Sequence, residues 1–207
     1  MVIDMEKDPR PRGRPRAFDE TEVLDAAARL FWERGYEGTS IKDLTEVMGL
    51  KPPSVYAAFG SKEALYDRVL DRYAETFGRS LLRELDGSPN LKRAITALMQ
   101  DWARLLTGER HPKGCMISLG MPAHAPDQAG IAQGVANRRA ATRRLFLDRL
   151  EVGRDQLPQG TDLTALANYL ATVIAGLSML ARDGLTTAEL LAVADVAVAT
   201  WPERSDR

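Results

Sequence analysis

The sequence predicts an all-α fold, in which a three-helix N-terminal unit is joined by a long fourth helix to a larger helical C-terminal part. Two observations carry this prediction. Apolar residues recur at helical spacing in successive segments, and none of these segments shows the alternation typical of a β-strand. Glycine, proline and capping residues separate the segments and divide the chain into about nine helices.

The first two helices have recognisable starts and ends. Asp19 and Glu22 have the spacing of a capping box before the first helix, and Gly35 is expected to end it. Ser40 and Asp43 repeat that spacing at the start of the second helix. The capping side chains accept hydrogen bonds from backbone N–H groups that a helix start leaves without partners. These signals place the first helix before residue 35 and the second after residue 40.

The next segment has the layout of a helix-turn-helix. Ile41, Leu44 and Met48 lie at i, i+3 and i+7, so the second helix has one apolar face. Gly49 follows where a left-handed C-cap is needed, because glycine adopts positive φ without steric cost. Pro52 can open a third helix of about two turns, since the first helical turn needs no N–H partners. A short helix after a glycine turn is typical of DNA recognition.

The C-terminal part follows the same logic. Ser61 is expected to cap a long fourth helix ending near residue 85, and a stripe from Leu91 to Leu105 predicts a fifth. A glycine- and proline-bearing stretch over residues 108–126 interrupts the pattern and is expected to hold one short helix near Cys115. Three longer helices are predicted at about residues 127–152, 162–182 and 187–201.

The segment from Phe18 to Phe77 resembles the TetR/AcrR family of one-component bacterial transcriptional regulators. The resemblance rests on VLDAAARLFWERG, on the pair Thr39 and Ser40, and on KPPSVYAAFGSKEAL. It implies a flexible basic arm at residues 1–17, a helix-turn-helix DNA-binding domain at 18–77 and an effector-binding and dimerisation domain at 78–207. The family's function would make the chain a homodimeric regulator, most often a repressor, released from a palindromic double-stranded operator by a small apolar effector.

Charge distribution supports a local DNA-binding surface. The formal net charge of the 207 residues is −1, but residues 10–18 contain four arginines and no acid. Arg12, Arg14 and Arg16 belong to this arm, which either enters a minor groove or is a solvated tail. Thr39, Ser40 and Lys62 are candidates for phosphate contacts. The remaining candidates surround the third helix: Lys51, Pro52, Ser54, Tyr56 and Ala57.

The resemblance also places an effector cavity and a dimer interface. Large adaptable side chains concentrate where the family binds its effector, and the alternative is that they fill the core. These are Met99, Trp102, Cys115, Met116, Leu119, Met121 and Phe146. In the family the last two helices pair with their copies. The small apolar residues predicted to form that interface are Ala167, Leu170, Ala171, Ile174, Ala175, Leu177, Ala181, Leu190, Ala194 and Val198.

Cysteine and histidine content argues against other chemistry. The sequence has one cysteine and two histidines, so no internal disulfide, metal site or other cofactor is expected. Cys115 is most simply a small buried apolar residue, and a thiol sensor is the alternative. The five arginines from residue 138 to residue 149 form either a solvated face or an anion site. No catalytic motif is present, so an enzyme is not expected.

Three function hypotheses therefore remain from the sequence. The first is a repressor released by a small effector, the second a repressor switched at Cys115 by thiol chemistry, and the third a constitutive DNA-binding protein without a ligand. No apolar segment is recognised as a signal peptide or a membrane span. A cytoplasmic protein is expected.

Overall fold

The helices begin at side chains that cap them, as the sequence predicts. The computed structural model describes residues 18–203, without the side chains of residues 80–82, 84 and 86. In α1 (Glu20–Arg34), the carboxylate of Asp19 accepts a hydrogen bond from the backbone N–H of Thr21. The expected reciprocal capping box with Glu22 is not the geometry observed there. In α2 (Ile41–Met48), both hydrogen bonds of the Ser40–Asp43 capping box are present.

The turn between α2 and α3 (Pro52–Phe59) is fixed by glycine. Gly49 has φ of +62°, and its backbone N–H donates to the carbonyls at the end of α2. A side chain with a Cβ is disfavoured at this φ. Pro52 opens α3 after Lys51, and Ser61 caps α4 (Lys62–Asp86) by accepting from the N–H of Ala64 at 3.1 Å. The predicted helix-turn-helix is confirmed.

Five further helices complete the described part of the chain. They are α5 (Leu91–Leu106), the short α6 (Met116–Leu119), α7 (Ala129–Val152), α8 (Leu163–Arg182) and α9 (Thr187–Ala199). Short 3-10 turns at Pro126–Gln128 and Arg154–Gln156 precede and follow α7. The described residues therefore form nine α-helices and no strand, which confirms the all-α prediction.

One apolar core runs through both halves. In the N-terminal half, Phe31 and Tyr66 pack edge to face with ring centroids 4.8 Å apart, and each is 1% exposed. Helix α4 belongs to both halves, because Leu65 and Val69 are buried near α1 while Tyr73 lies beside α6. Helices α5, α7, α8 and α9 surround the C-terminal core. Burial of this apolar surface is the main stabilising contribution.

Candidate nucleic-acid interface and effector cavity

Helix α3 has one buried side and one exposed side. Val55 and Phe59 are 1% and 5% exposed and anchor the helix in the N-terminal core. The exposed side carries mostly small side chains and one aromatic ring. The helix can therefore approach a DNA groove closely. It contains five of the predicted DNA-contacting residues: Lys51, Pro52, Ser54, Tyr56 and Ala57. Tyr56 is 50% exposed and is the largest of them.

Thr39 and Ser40 differ in how far their side chains are exposed to solvent. Thr39 is 1% exposed, and its hydroxyl donates to the carbonyl of Gly35 at 2.7 Å. This residue stabilises the turn between α1 and α2, so the expected phosphate contact by its hydroxyl is corrected. Ser40 is exposed, but its hydroxyl hydrogen-bonds with the carboxylate of Asp43. The three arm residues Arg12, Arg14 and Arg16 lie outside the described residues.

The ammonium group of Lys62 is held at the start of α4. Its Nζ lies 4.0 Å from the centroid of the Tyr36 ring, a cation–π contact. The Tyr36 hydroxyl donates to Glu63 Oε1 at 2.8 Å. Burial lowers the pKa of Lys62, while the charges of Glu37 and Glu63 act in the opposite direction. The Lys62 side chain is therefore oriented before any DNA binds.

Ion pairs attach α4 to a helix of each half of the chain. Arg72 on α4 binds Asp25 on α1 through two hydrogen bonds, of 2.6 and 2.8 Å. Arg138 from α7, in the C-terminal half, pairs with Asp67 at 2.8 Å and with Asp71, both on α4. Helix α4 is thus held by α1 and α7 at the same time. A displacement of α7 would act on the helix that begins at Lys62.

A cavity of about 600 Å³ lies between α4, α5, α6, α7 and α8. Trp102 and Cys115, both predicted for the effector site, line it. The other predicted residues do not line it: Met99, Met116, Met121 and Phe146 are at most 8% exposed within the core, and Leu119 packs elsewhere. This corrects the sequence-based assignment for those five residues, because large side chains fill space that smaller ones leave open.

Most of the cavity wall comes from α7 and α8, whereas the residues predicted for it lie mainly on α5 and around α6, with Phe146 alone on α7. On α7, Arg138, Ala141, Thr142 and Leu145 lie at i, i+3, i+4 and i+7. On α8, Asn168, Ala171, Thr172 and Ala175 have the same spacing. Such a stripe of small and polar residues along two packed helices leaves a gap between their backbones. The helical spacing of these residues can be recognised in the sequence.

Cys115 lies at the buried end of the cavity. It is 4% exposed, and its Sγ accepts a hydrogen bond from the backbone N–H of Ser118 at 3.4 Å. The Tyr73 hydroxyl is close to this thiol and accepts from the Met116 N–H at 3.3 Å. Burial, and to a smaller extent Cys115, raises the pKa of Tyr73 well above its usual value. The thiol is therefore adjacent to any molecule that fills the cavity.

Most arginine side chains of α7 form hydrogen bonds or ion pairs with other residues of the protein. Arg139 donates to the carbonyls of Ile117 and Gly120, at 3.2 and 2.7 Å. Arg149 donates to the carbonyls of Leu85 and Ser88, both at 2.8 Å, where α4 ends. Arg138 pairs with α4, and Arg144 pairs with Asp148 at 2.7 Å. The solvated-face interpretation of this cluster is too simple, because three of the five side chains connect helices.

The histidines lie in different surroundings from Cys115. His111 stacks on Trp32, with ring centroids 4.9 Å apart, and His124 is exposed. Within residues 18–203, no three His, Cys, Asp or Glu side chains form a group that could hold a metal ion.

The small residues of α8 and α9 pack inside the subunit. Seven of those predicted for the dimer interface are at most 3% exposed: Ala167, Leu170, Ile174, Leu177, Ala181, Leu190 and Ala194. Ala171 and Ala175 line the cavity, and Val198 is half-buried. Side chains buried within one subunit cannot contact a second one, so the assignment of these seven residues is corrected. Ala171, Ala175 and Val198 are half-buried and stay predictions. Tyr169, Met179, Val193 and Val196 are instead exposed, at 38–68%.

Helix α8 is apolar on both of its sides. Within the described residues it is the one helix whose length and mean hydropathy of 1.6 would also fit a membrane span. Core helices of proteins without a membrane meet the same criterion. Periodicity alone therefore could not show which side of α8 packs inside the subunit.

Comparison with known proteins places this geometry in a family. The model of bacterial regulatory proteins of the tetR family matches residues 23–69, which include α2 and α3. The HTH-type transcriptional repressor ComR of Escherichia coli K12 is 34% identical over 197 residues, covering 94% of each chain. The repressor BdcR of the same organism is 31% identical over 191 residues, covering 92% of this chain and 93% of BdcR.

A solved structure agrees with this relationship. A cysteine variant of the TetR family transcriptional regulator CifR, bound to 26-bp double-strand operator DNA, is 38% identical with a TM-score of 0.88. The match covers 91% of this chain and the whole of that one. Similarity to ComR and CifR extends through both halves of the molecule, well beyond the helix-turn-helix. The chain therefore belongs to the TetR family of bacterial transcriptional regulators.

Proposed function

We propose that the chain is a homodimeric repressor that binds a palindromic operator through α3 and is released by a small, largely apolar effector. The observation that carries this proposal is the position of α4. Its first residue, Lys62, follows the end of α3 by three residues, and its residues Tyr73, Ala74 and Gly78 line the cavity. The two sites are about 16 Å apart along one helix, at 1.5 Å per residue. Occupation of the cavity can thus act on the DNA-binding surface through a single rigid element.

The proposed DNA contacts follow from exposure. Ser54 and Ala57 face outward on α3 and are candidates for base edges, whereas Tyr56 and Lys62 are candidates for the phosphate backbone. Ser40 and the arginine arm are additional phosphate candidates. The small side chains of α3 favour recognition of DNA shape over an extensive set of base contacts. CifR, ComR and BdcR support the choice of operator DNA as the partner.

The proposed dimer uses the exposed sides of α8 and α9. Tyr169 and Met179 on α8, and Val193 and Val196 on α9, are exposed apolar residues. Burying their surface against a second copy removes it from water and is favourable. A two-fold dimer also matches a palindromic operator, because two α3 helices then reach successive major grooves about 34 Å apart.

The proposed switch is a shift between two arrangements of the dimer. An effector that binds one arrangement more tightly than the other shifts the population toward it. If that arrangement separates the two α3 helices differently, both half-sites can no longer be contacted at once. An effector with equal affinity for both arrangements would have no effect. The ion pairs of Arg138 with Asp67 and Asp71 are the contacts through which α7 would move α4.

The proposal further divides the chain into an arm at residues 1–17, a DNA-binding domain at 18–77 and an effector and dimerisation domain at 78–207. It includes a cytoplasmic location and no catalytic activity. Both follow from regulation of transcription as the function.

Selection of binding sites from random double-stranded DNA tests the proposal. The full chain should enrich a palindrome and bind it with two subunits per site. Ala171→Phe, which fills the cavity, should leave that binding intact and remove the response to small molecules. Failure to enrich any sequence, or binding by one subunit, would contradict the proposed repressor.

A second candidate function is a repressor switched covalently at Cys115. The observation favouring it is that the thiol lines the cavity beside the Tyr73 hydroxyl. A reactive molecule entering the cavity would reach the sulfur directly. Its low exposure of 4% favours the packing interpretation instead, since reagents in solution have little access. Comparison of wild type with Cys115→Ser separates the two candidates.

A further inference from the structure

The charged groups of the cavity are all of one sign. Arg138, Arg139 and Arg143 line it, and no aspartate or glutamate does. Arg138 is neutralised by Asp67 and Asp71 on α4, outside the lining. Arg139 has carbonyl partners but no carboxylate partner among the described residues. The charges that line the cavity are therefore positive, which favours an anionic occupant and disfavours a cation.

Arg143 is the guanidinium that remains available. It is exposed and lines the cavity, and no hydrogen bond or ion pair joins it to any of the side chains that the structure describes. Asn168 and Thr172, on the facing helix α8, are also both exposed and part of the lining. Residues that are exposed to solvent and also line the cavity lie at its opening. The opening thus offers a planar, bidentate donor beside two neutral polar side chains.

The buried end has a different polar feature. Trp102 lines the cavity and is only 7% exposed, and its indole Nε1 has no hydrogen-bond partner within the part of the chain that the structure describes. A buried donor without a partner is unfavourable. Tyr73 and Ile174 make the rest of this end mainly apolar. The Nε1 atom has almost no accessible surface, so other atoms of the Trp102 side chain form the cavity wall.

We propose that the cavity selects an elongated, largely apolar monoanion, with its acidic group at Arg143 and its apolar tail at the end lined by Trp102. Carboxylates and sulfonates with an aliphatic or aromatic tail have this chemistry. The inference rests on the proposed function, in that the cavity is taken as the effector site, and it adds the class of effector. A volume of about 600 Å³ lies within the range of sites for small organic molecules.

A pair of fluorescent probes tests the anionic end. Anilinonaphthalene sulfonate and N-phenyl-1-naphthylamine share an aromatic framework, and only the first has a negative charge. Wild type should bind the sulfonate more tightly. Arg143→Gln should weaken sulfonate binding about two- to fivefold, as for an ion pair exposed to solvent, and leave the neutral probe unchanged. Arg144→Gln is the matched control, since Arg144 is exposed and adjacent but pairs with Asp148 outside the cavity.

The outcomes separate this inference from the proposed function. Ala171→Phe should remove binding of both probes and thereby show that they occupy the cavity. If wild type and Arg143→Gln bind the two probes equally, the cavity takes neutral molecules, and the anion proposal is wrong while the repressor proposal stands. If neither probe binds wild type, the anion proposal is wrong, whereas the repressor proposal is still decided by the selection of a palindromic DNA site.

Discussion

Arg182, the last residue of α8, donates from Nη2 to the carbonyl of Trp32 in the last turn of α1, at 2.7 Å. A second, longer contact of 3.3 Å reaches the carbonyl of Glu33. The end of a helix exposes carbonyls without partners and has a partial negative charge, so a guanidinium there is stabilising. The C-terminal part of the chain thus holds the DNA-binding half directly, in addition to the contacts made through α4.

Replacing Arg182 by Gln should loosen this attachment. We expect the free energy of unfolding to fall by about 1 kcal/mol, the magnitude for a solvent-exposed charged hydrogen bond. Amide hydrogens in the last turn of α1 should exchange faster, while those of α5 are unchanged. Urea denaturation and hydrogen exchange measure the two effects, and Arg144→Gln serves as the control. Identical exchange in α1 of wild type and Arg182→Gln would show that α8 does not hold α1.

Lys62 should contribute to DNA affinity without contributing to sequence selection. Its ammonium group is held over the Tyr36 ring at the start of α4, a geometry suited to a phosphate. Lys62→Ala should weaken binding to operator and to unrelated DNA alike, and it should reduce the salt slope by about one. Tyr36→Phe keeps the ring and should retain the slope. A Lys62→Ala protein with an unchanged slope would remove this residue from the DNA surface.

Two substitutions distinguish the dimer faces of α8 and α9. Val196 is 68% exposed, so Val196→Glu should place a charge in the proposed interface and give monomers with weak operator binding. Ala175→Glu changes a residue of the cavity wall and should leave the dimer intact. Sedimentation velocity measures both. A monomeric Ala175→Glu beside a dimeric Val196→Glu would restore the interface that the sequence pattern predicts.

Local chemistry explains which features the sequence predicts well. The capping box of Ser40 and Asp43 and the φ of +62° at Gly49 depend on residues within four positions of each other, so they can be read from the chain. Thr39 has the same local surroundings, but its burial depends on how α1 packs against α2. The side of α8 that faces inward likewise depends on contacts with distant helices. Those tertiary contacts, and not local propensity, decide the cavity and the dimer surface.

Cys115 should behave as a packed residue under alkylation. At 4% exposure its sulfur is shielded, so iodoacetamide should react much faster with unfolded protein than with native protein. We expect operator release by the reagent to be equal in wild type and Cys115→Ser, or absent in both. Release of the wild type alone, with modification at Cys115 by mass spectrometry, would establish the covalent switch.

Trp102 should report occupation of the cavity by its fluorescence. Of the three tryptophans, Trp32 lies in the DNA-binding half and Trp201 follows α9, so only Trp102 lines the cavity. A protein with Trp32→Phe and Trp201→Phe keeps this single reporter. Its emission should change on addition of decanoate, because the indole lies at the buried end, where the tail of the ligand would reach.

The control for the reporter is the filled cavity. Ala171→Phe in the same background should leave the emission of Trp102 insensitive to decanoate, since the space beside the indole is then occupied. The concentration that changes the fluorescence should also be the concentration that releases DNA, because one binding event causes both. If DNA is released while Trp102 emission stays constant and Trp102→Phe keeps full affinity, the effector binds outside this cavity.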